Sequence, residues 1–559
     1  MRQMNTLRQV LLVSALCAIG WSSRSAQAAP IEISTVAQLQ LIGSGGGYPL
    51  DGDYVLVQDI DSSPTAAWNS GQGFAPIGSY AQPFTGTLDG GGHVVSELVI
   101  NRPGAQFAGL FGAIGPAGSV SNLTLTSASL TAKPPCGILG GYVEGTLSRC
   151  FVSSSVVAGT DNNQNLEGWD SVGGLAGWLE GGAVDHCVFD GTVAGTFTNT
   201  TYNSGPWAGG LIGRNVGGVV QRCASHGTVT ADGSSCQAGG LIGHYGWRNG
   251  TTEYGKVENS FTTANVEAKR AGTAGGLIAA AERFSVVRRC SASGNVKATM
   301  TCGGLFATSQ GTVTDCYARG SVRSVYQAQV GGLAGTYENG AIANTYATGA
   351  LTSDVPNAIF GGLIAYAPAW MTANGSFWDT TSSGISKSAG GTGKTTAEMQ
   401  MSSTFGSAGW DMSGMDGDPA VWTIVNENAS YPILVDAQSV GLTTRTVGAA
   451  AGPNAVVGVL AALLPGSGIE YSLVAGEGAD HNNLFNIDGA DLRVNDPSKM
   501  TPGDYSVRVQ AAPVSPGGKG ALKEVRPLEA ESAVSVLIIT IAKSPGPAAV
   551  THDAWVVYH

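Results

Sequence analysis

The stretch Gly209-Gly210-Leu211-Ile212-Gly213 decides the fold, because it is one of nine similar stretches along the chain. Each stretch sets an apolar residue among small ones. The central apolar residues recur every 28 to 37 positions, at Leu110, Ile138, Leu175, Leu211, Leu241, Leu277, Leu305, Leu333 and Leu363. A period of this length is typical of stacked units that each bury an apolar face against their neighbours. The sequence therefore predicts a solenoid.

A second motif runs in phase with the first and indicates β-strands. It reads Val220-Gln-Arg-Cys223 followed by Gly227-Thr-Val229, and it recurs from Val184, Val287 and Val313, with weaker copies from Val120, Leu147, Val257 and Ile342. Short runs rich in Val and Thr and broken by Gly favour strands with tight corners over helices. The prediction is an all-β parallel β-helix. Nine coils of about three short strands each would make a rod about 40 Å long.

Five cysteines share one position of this repeat, namely Cys150, Cys187, Cys223, Cys290 and Cys316. Leu123, Ser260 and Thr345 fill the same position in other coils. Stacked positions lie near the separation that a disulfide needs, and an oxidising compartment would permit one. The alternative, favoured by the Leu, Ser and Thr substitutes, is an interior column of unreacted thiols. No cysteine spacing of the zinc-binding kind is found, so no metal is predicted.

The first 28 residues have the pattern of a secretory signal peptide. Arg2 and Arg8 precede an apolar stretch from Val10 to Trp21, and Ala26-Gln27-Ala28 is a small-x-small cleavage site. This stretch is too short to span a membrane, and no later stretch is a better candidate. We therefore expect a secreted or cell-surface protein without a membrane span. The net charge of −12 makes nucleic acid an unsuitable partner.

Several motifs in order resemble the GLUG repeat of bacterial secreted and surface proteins. They are the Gly-Gly-Leu-Ile-Gly core followed by Cys316-Tyr-Ala-Arg-Gly-Ser-Val322, the lead-in Phe84–His93, and a closing stretch from Gly393 through Trp410 and Trp422 to Tyr431-Pro432. The resemblance covers about residues 31 to 436 and implies an adhesin-like or haemagglutinin-like protein. We divide this part into a cap with the first solenoid strands (29–105), the GLUG-repeat β-helix (106–385) and a closing segment (386–436).

Residues 440–559 lack the glycine motif and are similar to a bacterial cadherin-like repeat. The similarity rests on Tyr471–Gly476, Asn483–Asp488, Leu492 and Gly503–Val509. It implies a β-sandwich that serves as a spacer or contact module and often binds calcium. Asn495-Asp496-Pro497 is a poor substitute for an acidic calcium motif, and Gln510 stands where a terminal Asp is expected. No cofactor is predicted, with calcium at this domain as the one alternative.

The sequence contains no convincing catalytic motif. Residues Ser388–Thr395 nearly match the consensus of a phosphate-binding loop, but the first residue is Ser where the consensus has Gly, and no apolar strand precedes it. Asp89-Gly-Gly-Gly-His93 resembles an Asp-His pair, although its glycines favour a turn of the first coil. No Gly-x-Ser-x-Gly or paired-carboxylate pattern recurs on successive coils. The seven histidines are scattered singly, and we expect them at the surface or in turns.

The longer repeats contain aromatic insertions that are candidates for ligand binding. Residues 161–170 and 196–207 should lie side by side on adjacent coils, and residues 245–254 should lie at another corner. Insertions in solenoids map to one face, which is often the binding face, and aromatic rings among Asn and Asp are typical of sugar sites. The alternative is that these rings pack on the solenoid wall. The predicted binding residues are Trp169, Tyr202, Trp207, Trp247 and Tyr254.

Three function classes follow from these observations. The leading hypothesis is a non-catalytic adhesin-like protein that binds an extracellular glycan or protein ligand through the insert loops. The second is a carbohydrate-active enzyme on a β-helix, which the missing acid and base disfavour. The third is a structural matrix protein that associates with copies of itself.

Overall fold

The computed structural model confirms that most of the chain folds as a parallel β-solenoid. It describes residues 29–412 apart from 161–169, 198–204, 247–254 and 327–328, and then the segments 421–424, 428–434, 440–442, 446–448, 453–462, 469–473, 481–488, 491–496, 503–513 and 533–542. Within these residues the solenoid has three parallel sheets, here named I, II and III in the order in which one coil passes through them.

Sheet II supplies one strand for each of the nine glycine motifs, and all pair in parallel with the next coil. Its strands are Phe111–Ile114, Gly140–Val143, Ala176–Glu180, Ile212–Val216, Ile242–Gly246, Ile278–Ala281, Phe306–Ser309, Ala334–Tyr337 and Ile364–Tyr366. Sheet I has seven strands, which are Ser171–Gly173, Trp207–Gly209, Gln237–Gly239, Thr273–Gly275, Cys302–Gly303, Gln329–Gly331 and Ile359–Gly361. The nine expected coils are thus present.

Sheet III is the long wall of the solenoid, with 27 strands. They are Ile31–Ile33, Asp53–Leu56, Ile60–Asp61, Thr87–Asp89, Val94–Ser96, Val99–Arg102, Ser119–Ser121, Thr124–Ala132, Thr146–Ser148, Phe151–Thr160, Ala183–Asp185, Val188–Phe197, Val219–Gln221, Ala224–Asp232, Lys256–Glu258, Phe261–Thr262, Asn265–Lys269, Val286–Arg288, Ser291–Ala292, Val296–Ala298, Thr312–Ala318, Val322–Ser324, Ile342–Ala347, Leu351–Ser353, Ala373–Asn374, Phe377–Asp379 and Thr392–Lys394.

A left-handed residue other than glycine bends sheet III in eight of the nine coils, so a coil has more strands than the three expected. Its φ lies between 48° and 52° at Asn122, Arg149, His186, Arg222, Asn259, Arg289, Asp315 and Asn344. Each of these residues directly precedes the cysteine position of the repeat. The kink turns the next side chain into the core and divides the wall into two stretches.

The central apolar residues of the glycine motifs form a continuous column inside the solenoid. Leu211, Leu241 and Leu277 are fully buried. The amide of Leu211 donates to the carbonyl of Leu241 at 2.9 Å, and that of Leu241 donates to Leu277 at 2.8 Å. Each coil therefore pairs its backbone and its side chains with the next coil, as a repeat stack requires.

The cysteines of the repeat form the predicted column, and all eight described cysteines are free, buried thiols. The backbone amide of Cys187 donates to Sγ of Cys223 at 3.5 Å, and that of Cys290 donates to Sγ of Cys316 at 3.4 Å. Burial raises the pKa of Cys187 and Cys316 well above the ordinary thiol value. These thiols are poor nucleophiles because the thiolate is the reactive form.

Short helices close the two ends of the solenoid. The first is Val36–Leu41, whose capping Thr35 accepts from the amide of Gln38, and a 3₁₀ segment follows at Ser63–Gly71. After the last coil come the helices Thr380–Ser383, Thr396–Met399 and Ser402–Gly406 and the antiparallel pair Trp422–Thr423 and Ile433–Leu434.

The closing segment packs on the last coils through aromatic side chains. Trp410 and Trp422 are buried with ring centroids 4.4 Å apart, and Trp422 lies 6.0 Å from Tyr317. Arg319 stacks on Tyr317 at 4.8 Å and donates to the carbonyl of Pro432 at 3.0 Å. Rings and a desolvated cation therefore join this segment to the solenoid.

Beyond residue 440, the described strands form two four-stranded sheets. One contains Val440–Leu442, Ala455–Ala462, Asp491–Val494 and Phe485–Asp488, with the 3₁₀ turn Asn482–Leu484. The other contains Thr446–Gly448, Ala533–Ala542, Gly503–Pro513 and Ile469–Leu473. These strands overlap the stretches on which the similarity to a cadherin-like repeat rests, while the cadherin-like sandwich stays a prediction.

Candidate functional site

Of the five predicted binding residues, only Trp207 lies among the described residues. Trp169, Tyr202, Trp247 and Tyr254 lie outside them. The segments 161–169 and 198–204 both connect sheet III to sheet I, and their flanks pair in register, with Thr160 opposite Phe197 and Ser171 opposite Trp207. The described residues that flank the two insertions therefore lie side by side on neighbouring coils, while the insertions themselves lie outside the described residues. Segment 247–254 connects sheet II to sheet III, at a different corner.

The glycine motif brings sheets I and II together at a sharp angle. A Cβ added to Gly209 would lie 1.9 Å from the carbonyl oxygen of Ile212, and one added to Gly243 would lie 2.9 Å from the backbone of Ala208. At Gly209, no other residue type fits such a close backbone contact. Outward side chains of the two sheets touch each other across this angle, which makes the angle concave. We call this groove the I/II cleft.

Trp207 forms one wall of the I/II cleft, at the first position of its sheet I strand. Its ring stacks on the His244 ring of the next coil, with centroids 4.2 Å apart and planes 15° from parallel. The side chain is half-buried, so part of the ring remains at the surface. Stacked pairs of this kind add about 0.5–1.5 kcal/mol to the free energy of burial and fix the ring in one orientation.

Arg214 lies between two tryptophans in the sheet II wall. Its guanidinium carbon is 4.4 Å from the Trp178 ring centroid and 5.0 Å from that of Trp207. Burial lowers the pKa of Arg214, and the nearby carboxylates of Glu180 and Glu282 oppose this shift. The arginine remains charged because its ordinary pKa lies far above neutrality. Its stacking holds both indole rings rigidly across one coil.

His244 departs from the expectation that the histidines lie at the surface or in turns. It is 7 % exposed and lies in a strand of sheet II. Nδ1 lies 2.8 Å from Oε1 of Gln237, and Nε2 lies 3.2 Å from Oε1 of Glu282. The stacked Trp207 ring and these two polar partners bury the imidazole, and no sequence pattern predicts this burial. The expectation is wrong for this residue.

Aromatic side chains continue the I/II cleft toward the N-terminal end of the solenoid. Tyr142 pairs in register with Trp178 and contacts its ring edge-on, with centroids 5.7 Å apart. Tyr80 lies 5.1 Å from Tyr142 and is 52 % exposed, and it also stacks on Phe107. A ribbon of ring faces and edges therefore runs from Tyr80 to Trp207 over several consecutive coils.

Sequence reasoning missed Trp178, Arg214 and His244, although a signal for them exists. Each stands directly after the last small residue of a glycine motif. The strand register aligns these positions into one outward column of sheet II, since Trp178 pairs with Arg214 and Arg214 with His244. An alignment of the residues that directly follow the glycine motifs places Trp178, Arg214 and His244 in one column, and this alignment would have identified the site.

The apparent Asp-His pair near the first coil is part of a turn, as its glycines predicted. Gly91 and Gly92 have positive φ values of 58° and 76°. Oδ1 of Asp89 accepts from the amide of Gly91 and from the side chain of Asn122, while Nδ1 of His93 lies 3.2 Å from Asp59. Asp89 and His93 thus have separate partners.

Two further observations bear on cofactors and membranes. Within residues 29–412 and the other described segments, no three His, Cys, Asp or Glu side chains cluster as metal ligands. None of the helices found among the described residues is long and apolar enough to cross a membrane.

Comparisons with known proteins give partial matches. No family model matches the chain. Halomucin of Haloquadratum walsbyi is 38% identical over 156 residues, which cover 27% of this chain and 2% of halomucin. A protein of Evansella cellulosilytica named "Putative Gly-rich membrane protein" is 38% identical over 114 residues, or 20% of this chain and 12% of that protein. The chain therefore spans a small part of the length of these relatives.

Among solved structures, the chain is similar to the crystal structure of a "putative immunoglobulin A1 protease" from Bacteroides ovatus. The sequences are 16% identical, and the match covers 73% of this chain and 92% of that chain with a TM-score of 0.34. A likeness at this level carries no argument about the activity of the present chain.

Proposed function

We propose that this chain is a non-catalytic extracellular or cell-surface protein of adhesin type, which binds a glycan through the I/II cleft. The observation that supports this most directly is the rigid group of Trp178, Arg214, Trp207 and His244 on one solenoid face. Two tryptophans fixed by an arginine are preorganised, so little side-chain entropy is lost when a ligand binds them.

The chemistry of the cleft suits a sugar better than a purely apolar ligand. Aromatic faces stack on the C–H faces of pyranose rings, while amide and carboxylate groups bond to hydroxyls. Gln237 and Glu282 lie beside the Trp207 and His244 pair and supply such groups. Glu282 has a side chain that is 48 % exposed, so it is accessible to a bound hydroxyl.

The insert loops extend this proposal beyond the described residues. In the sequence, segments 161–169 and 198–204 come shortly before Ser171 and Trp207, which pair with each other in sheet I at the same cleft. Their residues Trp169 and Tyr202 would then add to the binding surface. The signal peptide in residues 1–28, the GLUG-like motifs and a cadherin-like spacer in residues 440–559 fit export and display at a cell surface.

The proposal is tested by incubating the purified mature chain with a panel of neutral and acidic glycans and recording bound ligand and released product together. We expect binding without product release. Trp207→Ala should weaken binding at least tenfold because it removes a stacking face and frees His244. Phe284→Ala is the matched control, since Phe284 is 51 % exposed in a turn outside the cleft.

Two outcomes would overturn the proposal. Unchanged binding in Trp207→Ala would move the ligand site away from the cleft. Release of shortened glycan would support a carbohydrate-active enzyme instead. Far-UV circular dichroism and the unfolding midpoint of each variant establish that a loss of binding is not a loss of fold.

A further inference from the structure

A cavity of about 410 Å³ lies at the N-terminal end of the solenoid, away from the I/II cleft. It is lined by Gln40 of the helix Val36–Leu41, by Trp68 and Asn69 of the 3₁₀ segment, and by Ala75. We call this cavity the cap pocket. Its volume falls within the range of about 300–1,000 Å³ that is typical of small-molecule sites.

Four register steps along the solenoid separate the cap pocket from the cleft. Ile77 lies two residues after Ala75, and Ile212 lies in the strand that carries Arg214. The parallel pairing between them runs through Ile77, Phe111, Gly140, Ala176 and Ile212. Strands of neighbouring coils are about 4.8 Å apart, which places the two sites about 19 Å apart along the axis. A ligand in the cap pocket therefore does not depend on the cleft.

The wall of the cap pocket that contains Trp68 and Asn69 has a strained backbone. Asn69 and Ser70 have positive φ values of 51° and 58°, and Gly71 follows at 83°. Residues other than glycine rarely adopt this left-handed conformation, because their Cβ comes too close to the carbonyl oxygen. Strain of this kind persists only where surrounding contacts hold it, and it is concentrated at binding sites.

Hydrogen bonds from the lining residues hold this wall in place. The Gln40 side chain donates to the carbonyl of Ala75 at 2.9 Å and accepts from the backbone amide of Ala75 at 2.8 Å. Nδ2 of Asn69 donates to the carbonyl of Gly73 at 2.7 Å, and the amide of Gly73 donates to the carbonyl of Trp68 at 3.1 Å. The cap pocket is thus preorganised, so little conformational entropy is lost when a ligand binds.

The lining side chains keep hydrogen-bonding groups that the described part of the protein does not use. An amide side chain can make four hydrogen bonds. Among the described residues, the Gln40 amide makes two, the Asn69 amide makes one, and the indole N–H of Trp68 makes none. Hydroxyl groups of a ligand can therefore both donate and accept in the cap pocket.

The chemistry of the cap pocket suits a neutral sugar. None of the four lining residues carries a charge, so a charged ligand would gain no ion pair from them. Trp68 is half-buried, and the exposed part of an indole face can stack on the C–H face of a pyranose ring. A purely apolar ligand would bury the amides of Gln40 and Asn69 without new partners, which costs free energy.

We propose that the cap pocket is a second binding site, which takes one neutral sugar residue by stacking on Trp68 and by hydrogen bonds to Gln40 and Asn69. This inference goes beyond the proposed function, which concerns the I/II cleft alone. The two sites lie on different coils, so the loss of one leaves the other intact.

The experiment uses the intact mature chain labelled with fluorotryptophan and follows its fluorine NMR spectrum as methyl glucoside, methyl galactoside or methyl mannoside is added. The Trp68 and Trp207 resonances are assigned by their loss in Trp68→Phe and Trp207→Phe. We expect at least one of the three glycosides to shift the Trp68 resonance in a saturable manner. The shift should be the same in the parent and in Trp207→Ala.

Asn69→Gly removes one amide of the cap pocket and keeps the left-handed backbone, because glycine adopts positive φ freely. This variant should weaken the binding reported by Trp68 by about tenfold, as expected for the loss of one hydrogen-bonding side chain. Ser70→Gly is the matched control, since it changes the neighbouring left-handed residue, which does not line the cavity. Its affinity should equal that of the parent, and unfolding midpoints establish that both variants are folded.

The outcomes separate this inference from the proposed function. If none of the three glycosides shifts the Trp68 resonance while the Trp207 resonance responds, the cap pocket is overturned and the proposed function stands. A response of Trp68 without one of Trp207 would support the cap pocket and count against the cleft. Equal affinities of Asn69→Gly and Ser70→Gly, or tighter binding of methyl glucuronide than of methyl glucoside, would overturn the proposed contacts with a neutral sugar.

Discussion

The close approach of neighbouring coils at the glycine motif can be tested with the substitution Gly240→Ala. A Cβ at this position would lie 2.0 Å from the carbonyl oxygen of Gly276 and 2.7 Å from Oγ1 of Thr262. The first distance is more than 1 Å shorter than the approach that carbon and oxygen atoms tolerate, about 3.3 Å. The coils must therefore separate locally to accommodate one methyl group.

Separation of the coils weakens two backbone hydrogen bonds in the interior. The amide of Gly240 donates to the carbonyl of Gly276 at 3.0 Å, and that of Leu241 donates to the carbonyl of Leu277 at 2.8 Å. Each buried group left unsatisfied costs about 1–3 kcal/mol. Overpacking adds about 1–3 kcal/mol. We expect Gly240→Ala to lower the free energy of unfolding by at least about 3 kcal/mol, which is the sum of the lower bounds for the two hydrogen bonds and for overpacking.

The assay is equilibrium urea unfolding followed by far-UV circular dichroism, with hydrogen exchange to locate the damage. Because a solenoid is stabilised by contacts between neighbouring coils, protection should fall first in the strands Gln237–Gly239 and Thr273–Gly275. Gly104→Ala is the matched control, since Gly104 is exposed and nothing lies within 4 Å of its added Cβ. Its effect should stay within about 0.5 kcal/mol.

A Gly240→Ala protein as stable as Gly104→Ala would refute this reasoning. Such a result would mean that the coils adjust to a methyl group at small cost, and that the repeated glycine has another cause. Uniform loss of protection along the whole solenoid would contradict only the local character of the damage.

Three further predictions concern the thiols, one histidine and the closing segment. The native mature chain should resist labelling by iodoacetamide, and the urea-unfolded chain should take up eight labels, because all eight described cysteines are buried and free. The labels are counted by mass spectrometry. Fewer than eight labels in urea would reveal disulfides. Burial lowers the pKa of His226 while Asp190 opposes the shift, so the unfolded chain binds a proton at higher pH than the folded chain. The stability that this neutral histidine contributes to the folded state is present above the ordinary pKa of about 6.5 and is lost as the pH falls below it. The urea midpoint should therefore fall less with acidification in His226→Asn than in the parent. An equal pH dependence of the two midpoints would contradict the assignment. Arg319→Ala should destabilise the closing segment by about 2–3 kcal/mol, because the stacking on Tyr317 and the hydrogen bonds to Tyr346 and Pro432 are lost. Limited proteolysis should then cut the chain within residues 396–434. An unchanged digest would show that the aromatic cluster keeps the segment folded without the arginine.

The architecture of the solenoid could be predicted from the sequence because it depends on local, repeated constraints. The triplet Gly209-Gly210-Leu211 recurs unchanged in seven of the nine coils and in similar form in the other two, so one unit specifies the whole stack. The cysteine column was found in the same way, since Cys187 and Cys223 hold one position of the repeat. The left-handed residue before each cysteine was not found, because Asn, Arg, His and Asp occupy it without a common composition.

The candidate site could be predicted only in part, because it is built between coils. Trp207 was identified from the composition of an insertion, but nothing local relates it to His244, which lies 37 positions later in the sequence. Their stacking depends on the angle between sheets I and II. The same angle brings Arg214 between two tryptophans that are far apart in the chain.

The sequence by itself determined the repeat length and the parallel stacking of coils, since both follow from the periodicity of the motifs. Only the tertiary structure decided which outward side chains share a surface. The register aligns Trp178, Arg214 and His244 into one column, and the concave angle at the glycine motif brings Trp207 against that column. Those contacts join residues on different coils, and their geometry arises only when the coils are stacked.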